Sequence, residues 1–170
     1  MCDGTTNAGG HLSNIISLVQ HSPRELIRLL DVLTREFNSN YAHHAGARKL
    51  SDSDFEVGQD VYVRDVLWTV CDNRILSQLL RFNQSPFTNK EVQQAFRISP
   101  AGARGRIQSW EACGAVNLTG TRATGGDAGG KPANEYSIAD PRIRRMADRK
   151  LYDPEKLTEA PIDDSEVEVE

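Results

Sequence analysis

The sequence lacks most of what membrane insertion or disulfide bonding requires. No apolar run approaches the roughly 18 residues that a membrane-spanning helix needs, and no basic-then-apolar signal opens the chain. The cysteines Cys2, Cys71 and Cys113 are widely separated, without a CxxC pair or a histidine at ligand spacing. We therefore expect a cytoplasmic protein with no membrane partner and with free thiols, of which Cys113 lies in the core.

Sequence patterns for catalysis are also missing. There is no GxSxG, no HExxH and no P-loop of the form GxxxxGK[ST]; the segment GGDAGGKPAN has neither the P-loop spacing nor a Ser or Thr after its lysine. Adjacent His43 and His44 point in different directions on any regular element, and no third ligand stands three or four residues away. The chain by itself is therefore expected to be no enzyme and to bind neither a metal nor a cofactor.

The charge of the chain is unevenly distributed. Residues 81–150 carry 12 basic and 6 acidic side chains, a net charge of +6, whereas residues 151–170 carry 1 basic and 8 acidic side chains, a net charge of −7. A positive domain attracts phosphate groups through a sequence-independent interaction that weakens as salt rises. The overall charge of −4 is therefore a poor guide to the partners of the basic region.

The most informative stretch spans residues 88–141. Thr88 followed by Glu91 is a capping box, which predicts that a helix begins there. Ser99 followed by Pro100 is a second start signal, so only a short turn, Arg97-Ile98, separates the two helices. The apolar face of the second helix recurs at intervals of four and three residues and consists of Ala103, Ile107 and Trp110.

A hairpin is predicted after the second helix. Gly114 stands where a left-handed C-terminal cap favours glycine. Residues 116–119 predict a strand and residues 136–138 its antiparallel partner. Between them, residues 121–134 contain four glycines and a proline, which predicts a long solvated hairpin tip.

This order of elements resembles the winged helix-turn-helix family over residues 73–150. The resemblance implies a recognition helix from Ser99 to Cys113 that enters the major groove of duplex DNA, and a wing that touches the adjacent backbone. Winged helices also serve as dimerisation and protein-docking modules, so a protein partner or a homo-oligomer stays open. The candidate nucleic-acid-binding residues are Arg104, Arg106, Ser109, Arg122 and Lys131, and the alternative is that these are ordinary solvated side chains.

Two glycines lie inside the proposed recognition helix. Gly102 and Gly105 each cost roughly 1 kcal/mol relative to alanine in a helix interior. Either the helix is less rigid than most, or the glycines permit close approach to a phosphate or to a partner backbone.

The N-terminal part of the chain, residues 11–72, is predicted to be helical. Ser22, Pro23 and Glu25 mark the start of a long helix. Its apolar face is predicted to contain Leu26, Leu30, Leu33 and Phe37, with Arg24, Arg28 and Arg35 on the opposite face. A preceding short helix is expected to be apolar at Leu12, Ile15, Ile16 and Val19.

The start SPRELI resembles the helical lid of AAA-like and STAND-like P-loop ATPases. The resemblance implies that Arg24, and less surely Arg28, contact the phosphates of ATP bound by an upstream or separate ATPase core. The alternative is a solvated helix in which Asp31 and Arg35 form an i, i+4 pair. Since the chain has no P-loop, ATP is possible only with such a core, and this chain would be the C-terminal part of a longer protein or a product whose ATPase half is a separate chain.

The remaining segments complete the predicted organisation. Residues 1–10 are expected to be a loop or disordered, residues 38–51 a linker, and the apolar stretch after it a helix that breaks near Asp72-Asn73. A last helix from Pro141 should turn Ile143 and Met146 inward and these basic residues outward: Arg142, Arg144, Arg145, Arg149 and Lys150. The acidic tail, residues 151–170, should be disordered, and it either screens the basic region or only aids solubility.

The predicted fold class is mainly α, a lid-like helical segment followed by a winged helix with a small β-hairpin. The predicted function is binding of duplex DNA as the regulatory part of a P-loop ATPase-like protein. The alternatives are a protein-protein interaction module of an ATPase assembly and a small stand-alone transcription regulator.

Overall fold

A computed structural model describes residues 8–20, 22–42, 49–123 and 131–157. The chain divides into unit 1, Met1–Val70, and unit 2, Cys71–Glu170. The described residues are mainly helical with a small three-stranded antiparallel sheet, which confirms the predicted mainly α class. None of the described helices is long and apolar enough to cross a membrane.

Unit 1 contains α1 (Ala8–Leu18), α2 (Pro23–Tyr41) and α3 (Asp52–Val70). Helix α2 begins as predicted, because the Ser22 Oγ accepts a hydrogen bond of 3.4 Å from the Glu25 amide and Pro23 occupies the first helical position. The Glu25 carboxylate in turn accepts a hydrogen bond of 2.8 Å from the Tyr62 hydroxyl on α3. The start of α2 is thus tied to α3 as well as capped locally.

The buried face of α2 differs from the predicted one. The buried apolar residues of this helix are Leu29, Val32 and Leu33. Leu26 and Leu30, which were predicted to be buried, are 36% and 48% exposed. The helix is apolar on more than one side, and its contact with α3 decides which side is covered. At that contact Gly58 lies so close to α2 that an added Cβ would stand 2.3 Å from the Leu33 Cδ2.

The buried face of α1 also differs from the predicted one. Ile15 and Val19 are buried as predicted and Leu18 joins them, whereas Leu12 and Ile16 are 59% and 41% exposed. The His11 Nε2 lies 3.0 Å from Asp52 at the start of α3, which fixes the rotation of α1 about its axis.

Two predicted loops are shorter than expected. Residues 8–10 are helical, and α2 continues to Tyr41, so the prediction that residues 38–41 belong to a linker is wrong. Residues 1–7 and the His43-His44 pair lie outside the described residues. Within the described ranges, no group of three or more His, Cys, Asp or Glu side chains could hold a metal ion.

Unit 2 contains four α-helices and three short strands among its described residues. Its elements are α4 (Asn73–Phe82), β1 (Phe87–Thr88), α5 (Asn89–Phe96), α6 (Pro100–Ala112), β2 (Val116–Arg122), β3 (Ala133–Ile138) and α7 (Pro141–Asp148). The predicted helix break is confirmed, because the Asp72 carboxylate caps α4 by accepting hydrogen bonds of 2.9 and 3.0 Å from the amides of Arg74 and Ile75.

The sheet of unit 2 has the strand order β1-β3-β2. Strand β1 was not predicted; its Phe87 lies opposite Tyr136 of β3. The register between β2 and β3 shifts between Leu118 and Gly120, which is a bulge at Thr119. Both strands extend into the predicted hairpin tip as far as the Arg122 and Ala133 pair, and residues 124–130 lie outside the described part of the chain.

An aromatic cluster forms the core of unit 2. Trp110 has an exposure of 0% and packs near the rings of Phe82, Phe87 and Phe96. Its indole N–H donates a hydrogen bond of 3.0 Å to the Gln78 side chain of α4. This polar contact and the ring contacts together hold α6 against α4.

The last described segment departs from the prediction at two points. Arg142, predicted to face outward, is buried and forms an ion pair of 2.6 Å with Asp140, the residue that caps α7. Ile143 and Met146 are buried as predicted. Residues 151–157 are ordered and end at the buried Leu157, so the prediction of disorder is wrong there. Residues 158–170 lie outside the described residues.

Candidate nucleic-acid interface

Local capping signals position the α5-turn-α6 segment. The Thr88 amide donates a hydrogen bond of 2.5 Å to the Glu91 carboxylate, and this capping box starts α5 as predicted. Arg97, with a φ of 54°, ends α5, and the Ser99 Oγ accepts a hydrogen bond of 3.1 Å from the Gly102 amide to start α6. The predicted two-residue turn is therefore confirmed.

The orientation of α6 follows from its buried residues. These are Ala103, Ile107 and Trp110, as predicted. Gly114 closes the helix with a φ of +74°, which confirms the left-handed cap. The side opposite Trp110, here called the outward face of α6, consists of Ala101, Arg104, Gly105, Gln108 and Ala112.

The three predicted contact residues on α6 have different surroundings. Arg104 is exposed on the outward face, and its guanidinium has no ion-pair partner among the described residues. Arg106 lies on the flank of the helix, half-buried, with its Cζ 4.3 Å from the centroid of the Phe96 ring. The Ser109 hydroxyl is exposed and donates a hydrogen bond of 3.1 Å to the Gly105 carbonyl. Arg104 is therefore the cation of α6 that is best placed for an external ligand.

The fold of unit 2 does not require the glycines inside α6. A Cβ added to Gly105 would meet no heavy atom within 4 Å. A Cβ added to Gly102 would meet the Ser99 Oγ at 3.4 Å, an ordinary van der Waals distance. Packing within unit 2 thus gives no reason for glycine at position 105, where the helix faces solvent.

Arg122 holds the base of the hairpin. Its guanidinium lies 2.8 Å from Glu91 of α5 and 2.6 Å from Glu135 of β3. The hydrogen bonds to Glu135 and then to Glu91 raise the pKa of Arg122, so it stays charged. Burial alone would raise the pKa of Glu91, but its hydrogen bonds from Thr88 and Arg122 outweigh burial and lower it. The positive charge of Arg122 is therefore already balanced by two carboxylates. Nucleic-acid contact by Arg122 stays a prediction.

The other predicted residues are distributed over separate places. Lys131 is exposed just before β3. Arg24 and Arg28 are exposed on α2 and belong to unit 1. The prediction overlooked Gln108, although the period of Ala103, Ile107 and Trp110 places it on the outward face. It also overlooked two exposed cations, Lys90 on α5 and Arg97 at its C-terminal cap.

The two described cysteines are free thiols, as predicted. Cys113 is exposed, so the prediction that it lies in the core is wrong. It follows the last residue of α6, where the buried face has ended, and its Sγ donates a hydrogen bond of 3.2 Å to the Trp110 carbonyl. Burial, followed by the proximity of Cys113 and Asp140, raises the pKa of Cys71 to about 11.

No protein-family model, no curated protein and no solved structure matches the chain.

Proposed function

We propose that unit 2 is a winged helix-turn-helix that binds duplex DNA, with the outward face of α6 in the major groove. The observation that carries the proposal is this face itself. It presents the guanidinium of Arg104, the amide of Gln108 and three small residues to solvent, and none of them is needed in the core of unit 2.

The side chains of this face suit the edges of base pairs. The major groove admits an α-helix, and the forked donors of arginine match the O6 and N7 atoms of guanine. A glutamine amide pairs in a similar way with the N6 and N7 atoms of adenine. Arg104 and Gln108 are four residues apart and so lie on adjacent turns of one face. The small residues beside them allow the helix backbone to approach the groove closely.

The charge of unit 2 supports binding to phosphate. Several acidic residues of the basic region are engaged by arginine, since Arg122 contacts Glu91 and Glu135 and Arg142 contacts Asp140. Their negative charge is compensated within unit 2. Exposed cations such as Lys90, Arg97 and Arg104 then leave positive charge on the α5-turn-α6 segment.

In this proposal the β2-β3 hairpin is the wing. Arg122 acts as a positioning residue that ties the hairpin to the start of α5, while Lys131 contacts the DNA backbone. Arg106 and Ser109 lie beside the outward face and contact the sugar-phosphate backbone at its border.

Fluorescence anisotropy with labelled duplexes of random sequence tests the proposal. For the full chain, affinity should fall steeply between about 50 and 200 mM salt, as counterion release requires. Arg104→Ala should weaken binding by about 1–3 kcal/mol, because it removes a contact with a base edge. The matched control is Arg64→Ala, which removes an exposed cation from unit 1. Equal binding by wild type and Arg104→Ala would refute the assignment of α6.

A second candidate function rests on unit 1. The helix α2 exposes Ile27 by 69% and Leu30 by 48% beside Arg24 and Arg28. Large apolar side chains exposed together are typical of protein-protein contacts, which supports an interaction module of a P-loop ATPase assembly or a homo-oligomer. Sedimentation velocity of the full chain tests the homo-oligomer. Concentration-dependent association that Ile27→Asp abolishes would support it, and a monomer at all concentrations would exclude it.

A further inference from the structure

The helix α7 has a basic face that the proposed contact of α6 with DNA does not use. Arg144 is exposed and Arg145 is half-buried on this helix, on the side away from the buried residues Ile143 and Met146, and Arg149 caps its C-terminal end and is exposed. Lys150 follows and is exposed as well. We call Arg144, Arg145, Arg149 and Lys150 the basic face of α7.

The composition of this face favours a strongly acidic ligand. One acid of the helix, Asp148, lies near the four cations, whereas Arg142 is removed from the face because it pairs with Asp140. Arg144 gives one of its donors to the Ile138 carbonyl at 2.6 Å, which fixes its position and leaves further N–H groups for a ligand.

The described part of the chain ends on α4 of the same unit. Leu157 is buried, and the Arg81 guanidinium donates a hydrogen bond of 2.8 Å to its carbonyl. The Tyr152 hydroxyl donates to the carbonyl of Leu80 at 3.3 Å. These contacts hold residues 152–157 on α4, and α4 packs against α7. Whatever follows Leu157 therefore starts at α4, the helix on which α7 packs.

The segment that follows has the length and charge to occupy that face. Residues 158–170 contain six acidic and no basic side chains. Thirteen residues span at most about 43–47 Å when extended, whereas the eight residues of α7 form a helix of about 12 Å. A short tether of this kind gives an effective concentration on the order of millimolar. Even weak affinity for the basic face would then produce substantial occupancy.

We propose that residues 158–170 bind the basic face of α7 within the same chain, and that duplex DNA competes with them. The competition rests on the proposed function, which is binding of duplex DNA. The segment weakens DNA binding by covering four cations that otherwise attract phosphate. We take the intrinsic dissociation constant of the segment for the basic face as about 0.1–1 mM and its effective concentration as about 1 mM. The bound segment then makes DNA binding about two- to tenfold weaker at low salt.

The test compares full-length variants by ¹⁵N–¹H NMR without DNA. In the tail-neutral variant the six acids are replaced by amides: E159Q, D163N, D164N, E166Q, E168Q and E170Q. We expect this change to shift the amide resonances of residues 141–150 at low salt. The same change should leave them unmoved in the background R144Q/R145Q/R149Q. The matched background R35Q/K49Q/R64Q removes three cations from unit 1 and should retain the shifts.

DNA titrations of the same variants separate the possible outcomes. Tail-dependent shifts in α7 together with a two- to tenfold gain in DNA affinity support the proposal. Unchanged α7 resonances in the tail-neutral variant overturn the docking. If the α7 resonances shift but the tail-neutral variant binds DNA no more tightly than the wild type, the competition is overturned. If neither form binds DNA, the proposed function fails, and the NMR comparison alone decides whether the segment docks.

Discussion

Replacing Gly105 by alanine should make the protein more stable and its DNA binding weaker. The new Cβ meets no heavy atom of the described structure within 4 Å, so the substitution introduces no clash. Alanine is favoured over glycine in a helix interior by about 1 kcal/mol. We expect unit 2 to gain about 0.5–1 kcal/mol, which for a unit of this size raises its Tm by about 2–8 °C.

The same methyl group would project from the outward face of α6. If this face lies against the major groove, the methyl group meets base edges or a phosphate. Adding a methyl group to a well-packed contact costs about 1–3 kcal/mol. The affinity for duplex DNA should therefore fall about fivefold or more, opposite in direction to the effect on stability.

Circular dichroism melts and anisotropy titrations measure the two effects, and neighbouring glycines supply controls. Gly102→Ala places its methyl group against Ser99 and Ile98, so it should stabilise α6 without entering the outward face. Gly114→Ala should destabilise by about 1 kcal/mol because of the φ of +74°. A lower Tm for Gly105→Ala would contradict the described exposure of α6. A higher Tm with unchanged DNA affinity would refute the assigned binding face.

Three further predictions concern packing, ion pairing and reactivity. Gly58→Ala should destabilise unit 1 by about 1–2 kcal/mol in urea unfolding, because overpacking against Leu33 outweighs the helix propensity gain; equal stability would show that α2 can shift. Arg122→Ala should lower the Tm of unit 2 at pH 7. Because Glu91 has a lowered folded pKa, its stabilising contribution is present above its ordinary pKa near 4.5 and is lost as pH falls through the folded value. The Tm difference should therefore shrink as the pH falls below 4.5, and a constant difference would contradict the pairing. Cys71, with a pKa of about 11 against an ordinary 9.0, should react with iodoacetamide at pH 8 about 100-fold more slowly than an ordinary thiol; equal rates would refute its burial.

The α5-α6 segment could be predicted from sequence because its signals are local. The capping pairs Thr88-Glu91 and Ser99-Pro100 act within a few residues, and the rotation of α6 follows from the period of its apolar residues. The rotation of α2 could not be predicted in this way, since more than one side of that helix is apolar. The buried side is the one that packs on α3, where Gly58 lies close to Leu33.

Long-range contacts explain the other differences between prediction and structure. Strand β1 has two residues, too few for a periodic pattern, and exists because Phe87 pairs with Tyr136. The role of Arg122 depends on Glu91 and Glu135, which are 31 and 13 residues away in the sequence. No local pattern distinguishes such an arginine from the exposed Arg104.

The division of the chain also determines how its unfolding can be observed. The chain contains two tryptophans, with Trp68 in unit 1 and Trp110 in the aromatic core of unit 2. Each unit therefore carries one tryptophan, which can be excited selectively over tyrosine. In the variants Trp68→Phe and Trp110→Phe the emission reports one unit at a time. Coincident transitions of the two variants would identify one cooperative folding unit, and separate transitions would give each unit its own free energy of unfolding.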